Sequence, residues 1–222
     1  VLFSLILRAV SLEFRAHDPA RRRFWEAAFV GGSALPALLF GVALGNVVQG
    51  VPLDARGEYA GTFFTLLRPL PLAFGVLGLA VFLVHGAAYA ALKSEGSLRD
   101  RARKAVRTLA WAAGAAFLLS FAAVLLYRPE AVRSLLAWAF SALVWAGLGM
   151  AARAAKAGRD GRALTFSSTA FLGLWGMIGA IHYPNLVRAT DPALSLTVAN
   201  ASSSPLTLKV MLIIALVGMP VV

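Results

Sequence analysis

The sequence has no cysteine, which excludes disulfides, thiolate metal sites and a cysteine nucleophile. It is short of charge: 14% of its 222 residues are Asp, Glu, Lys or Arg, against about 25% in a soluble domain. Acids are the scarcer sign, 10 against 21 Lys and Arg, and there are three histidines. It contains no Gly-rich phosphate loop, no HExxH and no GxSxG, so the common catalytic signatures are missing. Apolar residues are plentiful instead, at 59% with a mean hydropathy of +0.77. One soluble core of this size cannot hide that excess, so lipid is the solvent the composition implies.

Seven apolar segments are legible: residues 1–7, 27–48, 63–92, 106–127, 134–152, 164–183 and 207–222. Twenty-two helical residues reach ~33 Å, enough for a hydrocarbon layer of ~30 Å. The 63–92 segment is too long for an upright span and is expected to tilt or to begin outside the core. Its Pro69 and Pro71 suit a first helical turn, where a missing N–H costs little. The chain opens and closes inside apolar runs, so both ends read as cut helices, and no signal-peptide pattern stands at the front. The expected fold class is all-α, a polytopic transmembrane bundle forming a single membrane domain.

Loop charge sets the orientation. Arg8–Arg23 carries five arginines, Lys93–Arg107 six basic residues and Arg153–Arg162 four. The alternating loops are poor: only Arg56 in 49–62, two arginines in 128–133 and only Arg188 in 184–205. By the positive-inside rule the three rich loops face the cytoplasm. The same distribution, short basic runs between apolar spans, argues against nucleic-acid binding despite a net charge of +11.

All ten acids fall in loops or at span ends, so this stretch carries no acidic proton relay in mid-membrane. His17 reads as solvated and His182 as interfacial. His85, in LVHGAAY, lies well inside a span. Metal or haem ligation is one reading of it, and a hydrogen-bonded packing histidine is the other, favoured because no second ligand stands at suitable spacing. Asn200-Ala201-Ser202 matches a glycosylation sequon, a three-residue pattern that arises often by chance. Gly41 and Gly45 share one helix face, where small residues let helices approach in lipid. Asn46 and Gln49 can bond across that gap, and Gly50 with Pro52 makes a stiff exit turn.

Several stretches in order carry a family resemblance: Arg8-Ala-Val-Ser-Leu-Glu13-Phe-Arg15, Trp25, GSALPALLFGVALGNVVQGVPL, FFTLLRPLPLAFGVLGL, HGAAYAALKSEGSL and SLTVANASSSPLTLKVM. The chain resembles the second subunit of cytochrome bd quinol oxidase. The resemblance implies a nine-helix subunit built as two four-helix bundles plus one peripheral helix. This sequence would run from the end of the third helix into the ninth, without the membrane acids that the family places earlier. It also implies a partner, the haem-bearing subunit I, which holds haem b and haem d and takes the quinol. No cofactor is expected in this chain except, as in some members, a structural quinone. This subunit would scaffold subunit I and contribute to the proton or oxygen path at the interface. On that resemblance Arg8 is either a neighbour of the haem propionates or a positive-inside anchor. Glu13, Arg15, Trp25, Gly41, Gly45, Asn46, Gln49, His85 and Asn200 would be interface or structural residues. A permease and a scaffold without a redox partner are the competing readings; the permease lacks its usual midplane charges and matched broken helices.

Overall fold

The computed structural model describes residues 1–219; the final part of the expected 207–222 segment, 220–222, lies outside them. Among the described residues there are eight α-helices: α1 (Leu2–His17), α2 (Arg22–Gln49), α3 (Pro69–Lys93), α4 (Gly96–Tyr127), α5 (Leu135–Lys156), α6 (Asp160–His182), the four-residue α7 (Val198–Ala201) and α8 (Pro205–Gly218). Helices α2 to α6 are long and apolar enough to cross a membrane. The protein is thus an all-α, multi-pass membrane bundle.

Short links make sequence neighbours antiparallel partners, and α3, α4, α5 and α6 close into a four-helix ring. Leu70, Leu77, Val84, Val106 and Val144 are fully buried at its centre. Three serines are buried with them, and each hydroxyl is satisfied by its own helix. Ser120 donates to the Ala116 carbonyl at 2.9 Å, Ser141 to Ala137 at 2.7 Å and Ser167 to Leu164 at 2.7 Å. Back-bonding of this kind lets a hydroxyl sit in an apolar interior without orphaning a donor. Helix α2 packs on the outside of α3, and α1 packs on α2.

Local chemistry explains the breaks. Helix α1 stops at Asp18, which precedes Pro19; the Asp18 carboxylate accepts the Arg21 N–H and the Trp25 indole N–H, both at 3.3 Å. The 63–92 segment is not one helix. A 3₁₀ turn (Phe63–Leu66) precedes it and α3 begins at Pro69, with Arg68 extended at ψ 162°. A residue before proline is driven out of the helical region, which accounts for that boundary. At the other end, α4 continues well past its apolar stretch, starting at Gly96 rather than near Val106. Its Arg103 closes a fork on Asp160 (2.8 and 2.6 Å) and so ties the start of α6 to α4. A small hairpin, β1 (Asn185–Val187) with β2 (Leu196–Thr197), covers the charge-poor end of the bundle.

Candidate functional site

The polar groups that the fold gathers lie mainly at the end of α2, the stretch GVALGNVVQG. Gly41 and Gly45 are both buried on the face that meets α3. A Cβ on Gly41 would lie against the Phe74 carbonyl and 2.8 Å from Gly75 Cα, and one on Gly45 would lie on Pro71 Cα. The neighbours are backbone atoms, so the two helices touch main chain to main chain. Asn46 follows on the same face, 6% exposed. Its amide donates to the Val42 carbonyl at 2.9 Å and to the Leu66 carbonyl at 2.8 Å, which binds α2 to the turn before α3. Asn46→Ala removes that tie and strands a carbonyl. The expected loss is about 1–2 kcal/mol, read as a lower unfolding midpoint of the solubilised protein with an unchanged helical circular dichroism spectrum.

Helix α2 ends in carbonyls that need donors, and arginines from three other segments gather there. Arg128, its side chain 7% exposed, donates to the Val48 carbonyl at 2.7 Å and to Glu130 at 2.6 Å. Arg68 donates to the Gly50 carbonyl. Arg188 donates to the same Glu130 oxygen at 3.0 Å, so one carboxylate bridges two guanidinium groups. Cations at a helix C-terminus satisfy both its orphan carbonyls and its dipole. Gly50 holds φ at +90° and stands 3.0 Å (as a Cβ would) from the Ala189 carbonyl, while Val51 pairs with Ala189 beyond it. A side chain at Gly50 would be strained by conformation and by contact alike. Burial raises the Glu130 pKa, but the backbone and the two arginines more than reverse this, leaving the carboxyl below its ordinary value. Burial also lowers the Arg188 pKa, helped by the nearby Arg128 charge and opposed by Glu130.

Beside this cluster lies an apolar cavity of about 420 Å³ between α2, the Phe63–Leu67 turn and the hairpin, with Asn46, His182 and Arg188 in its wall. Two buried atoms in that wall lack partners, Asn46 Oδ1 and His182 Nδ1, and Gln49 Oε1 is likewise unpaired. The His182 Nε2 contacts the Leu186 carbonyl at 3.2 Å, so Nε2 carries a proton, and in the neutral ring Nδ1 is then an acceptor.

The remaining sequence-selected residues are scattered. Arg8 is exposed on α1, its guanidinium carbon 5.7 Å from the centre of the Phe29 ring. No carboxylate lies within ion-pair distance of it among the described residues. Glu13 faces His17 at 4.0 Å, and Arg15 faces Glu26 at 3.6 Å. Trp25 stacks on Phe14 with ring centres 5.0 Å apart. His85 is far from all of these: its Nδ1 is 2.9 Å from the Ser167 hydroxyl and its ring meets Phe171 edge-on. Those contacts suit a packing group between α3 and α6. Asn200 forms a capping box with Thr197 and also donates to the Ser195 carbonyl at 3.1 Å. Among the described residues no three His, Asp or Glu side chains converge where a metal could be held. The Arg128–Glu130–Arg188 group and the Arg103–Asp160 fork were not singled out from sequence; Arg188 stands 58 positions from Glu130 and Arg103 57 from Asp160, so no local pattern marks them.

The fold defines a multi-pass helical membrane protein, and the polar side chains it gathers brace helix ends. The family model for cytochrome bd terminal oxidase subunit II matches residues 1–222, and the chain belongs to that family. It is 32% identical to the probable cytochrome oxidase subunit 2 of Haemophilus influenzae, over 98% of this chain and 67% of that protein. It is 29% identical to the cytochrome bd-I ubiquinol oxidase subunit 2 of Escherichia coli K12, over 100% and 68%. The bd oxidase structure from Geobacillus thermodenitrificans shares its fold, with a TM-score of 0.74 at 15% identity over 98% of this chain and 67% of that one. The chain therefore spans about two thirds of the length of these relatives, and works within an oxidase complex alongside another subunit.

Proposed function

We propose that the chain is the non-haem subunit II of a quinol:oxygen oxidoreductase, and that it scaffolds a haem-bearing subunit I in respiratory electron transport. The observation that carries this reading is the match of all 222 residues to the subunit II family. Electron transfer then belongs to haem b and haem d of the partner, and quinol reaches the complex through that partner. A proton or oxygen path along the contact between subunits is part of the same reading, as is a plasma-membrane location with the basic segments 8–23, 93–107 and 153–162 on the cytoplasmic side. Helix α1 is the proposed contact. It is largely exposed, with Leu2 and Phe3 at 74% and 88%, and its Arg8 lacks a carboxylate partner among the described residues. An unpaired arginine on an apolar helix suits a haem propionate across the interface.

The 420 Å³ cavity is our candidate for a structural quinone. Its unpaired atoms, Asn46 Oδ1 and the acceptor nitrogen of His182, call for donors. The hydroxyls of the quinone's reduced form supply them, so the cavity is proposed to hold that molecule as the quinol.

The test is purification of the intact assembly from its native membrane. A reduced-minus-oxidised spectrum with haem bands, and oxygen uptake driven by quinol, are the expected results. A chain that purifies alone, without haem, and moves a solute overturns the proposal in favour of a permease. For Arg8→Ala, haem content or the Soret band should change while quinol KM stays within about twofold. Unchanged spectra and turnover would leave Arg8 as an anchor only.

A further inference from the structure

A second polar site lies at the opposite, basic end of the bundle. Helices α4 and α5 part there to leave an open groove of about 780 Å³, walled by Asp100, Arg103, Lys104, Arg107 and Trp111 on α4, by Lys156 at the end of α5 and by Gly158 just past it. Positions 100, 103, 104, 107, 108 and 111 follow helical spacing, so the α4 wall is one face of one helix. Arg103 is committed already, forked on Asp160 and 3.6 Å from Asp100. Lys104, Arg107 and Lys156 have no carboxylate within ion-pair distance among the described residues. Three uncompensated cations face one groove.

Helix lengths fix the depth of that groove. Helix α4 has 32 residues, about 48 Å, whereas the hydrocarbon layer is about 30 Å thick. Counting about 20 residues back from Tyr127, an aromatic residue at the far surface, reaches Arg107. Helix α5 has 22 residues and ends at Lys156, so it just spans the same layer. Arg107 and Lys156 therefore meet at headgroup level. Trp111, one turn deeper, is 78% exposed, and an indole on the outer face of a span belongs at the membrane interface.

We infer that this groove is a binding site for the phosphate of an anionic phospholipid, held by Lys104, Arg107 and Lys156 with its acyl chains alongside Trp111. Basic pockets between helices at the headgroup level are suited to such lipids. A zwitterionic headgroup brings its own cation into a groove that already has three, so it is disfavoured. Free inorganic phosphate offers the same oxygen atoms but no chains to lie along the apolar face below the cations. The site is independent of the proposed role in the oxidase, since it uses neither α1 nor the cavity beside α2.

Native mass spectrometry of the purified complex, delipidated in detergent, tests this. The complex is titrated separately with phosphatidylglycerol, phosphatidylcholine and inorganic phosphate. The intact protein should hold one tight phosphatidylglycerol that R107Q/K156Q lacks, its affinity falling tenfold or more. R107K/K156R should keep the lipid, and so should Arg56→Gln on a distant loop. An unchanged haem spectrum in each variant shows that the complex is folded; Lys104→Gln, expected to weaken the lipid by several-fold, serves if the double variant is not. Equal phosphatidylglycerol binding by intact and variant complexes overturns the inference. Equal binding of phosphatidylcholine overturns it as well. Displacement of the lipid by an equal concentration of inorganic phosphate would make the groove a site for the free anion instead.

Discussion

Gly45→Leu should keep α2 from seating on α3 and should sharply reduce recovery of assembled, haem-containing complex. The reason is geometric. At Gly45 the obstacle to any side chain is the α-carbon of Pro71, with Phe74 Cβ at 3.0 Å, and one turn earlier Gly41 faces the Phe74 carbonyl in the same way. A crowded side chain can rotate, but a backbone atom in a packed helix cannot move without carrying its helix along. Overpacking of ordinary cores costs about 1–3 kcal/mol, and a backbone obstacle places this variant at the upper end or beyond. The loss is compounded because helix association in lipid rests on close contact, with no hydrophobic force to restore it. Separation of α2 from α3 also breaks the Asn46–Leu66 hydrogen bond, 2.8 Å long, so the turn before α3 is released with it. Gly149→Ala is the control: apart from its own helical turns nothing lies within 4 Å of the added methyl, and alanine gains up to about 1 kcal/mol of helix propensity. Haem absorbance per milligram of membrane protein and the melting midpoint of the solubilised complex are the measurements. A Gly45→Leu complex recovered in normal yield with an unshifted midpoint would show that the two helices can part without consequence.

The glycine pair was legible in sequence because its effect is local to one helix face. So was the membrane class, since hydropathy reports burial in lipid directly. Helix boundaries were less legible. Hydropathy registers the apolar part of α4 but not its polar extension from Gly96, where six basic residues between Lys93 and Arg107 look like a loop. It also merges the Phe63–Leu66 turn with α3, because both are apolar, and only the proline rule separates them. Asn46 was readable as a bonding group, but its partner is a main-chain carbonyl, which no side-chain pattern reveals. His85 shows the limit most clearly: its identity was conspicuous, while its companion Ser167 lies 82 residues away. The arginines at the end of α2 were hidden for the same reason. Arg128 and Arg188 sit in loops that look sparsely charged and Arg68 lies inside the apolar 63–92 segment, and only the fold brings Arg128 within 2.7 Å of the Val48 carbonyl, 80 residues earlier.

Removing Arg128 should have the second large effect. Its guanidinium is almost wholly buried and serves two acceptors, the Val48 carbonyl at the end of α2 and Glu130. Arg128→Ala leaves that carbonyl buried without a donor and takes one of two cations from Glu130. Charge-assisted hydrogen bonds contribute about 1.5–3 kcal/mol each. Glu130 is 48% exposed and keeps Arg188, so water replaces much of its share. The expected loss is about 2–3 kcal/mol, most of it from the Val48 carbonyl. Arg128→Lys should recover only part, since one ammonium group cannot reach both acceptors along the guanidinium's two arms. The Glu130 contribution carries its own signature in pH. Because its carboxyl titrates below the ordinary value of 4.5, its stabilisation is complete above that pH and is lost as pH falls through the lower folded value. Glu130→Gln, which cannot ionise, should therefore melt below the intact protein near neutral pH, and the gap should narrow progressively as the pH is taken below the ordinary carboxyl value of 4.5. A gap that stays constant over that range would mean that the carboxylate charge contributes nothing, and that Arg128 holds the end of α2 through the Val48 carbonyl alone.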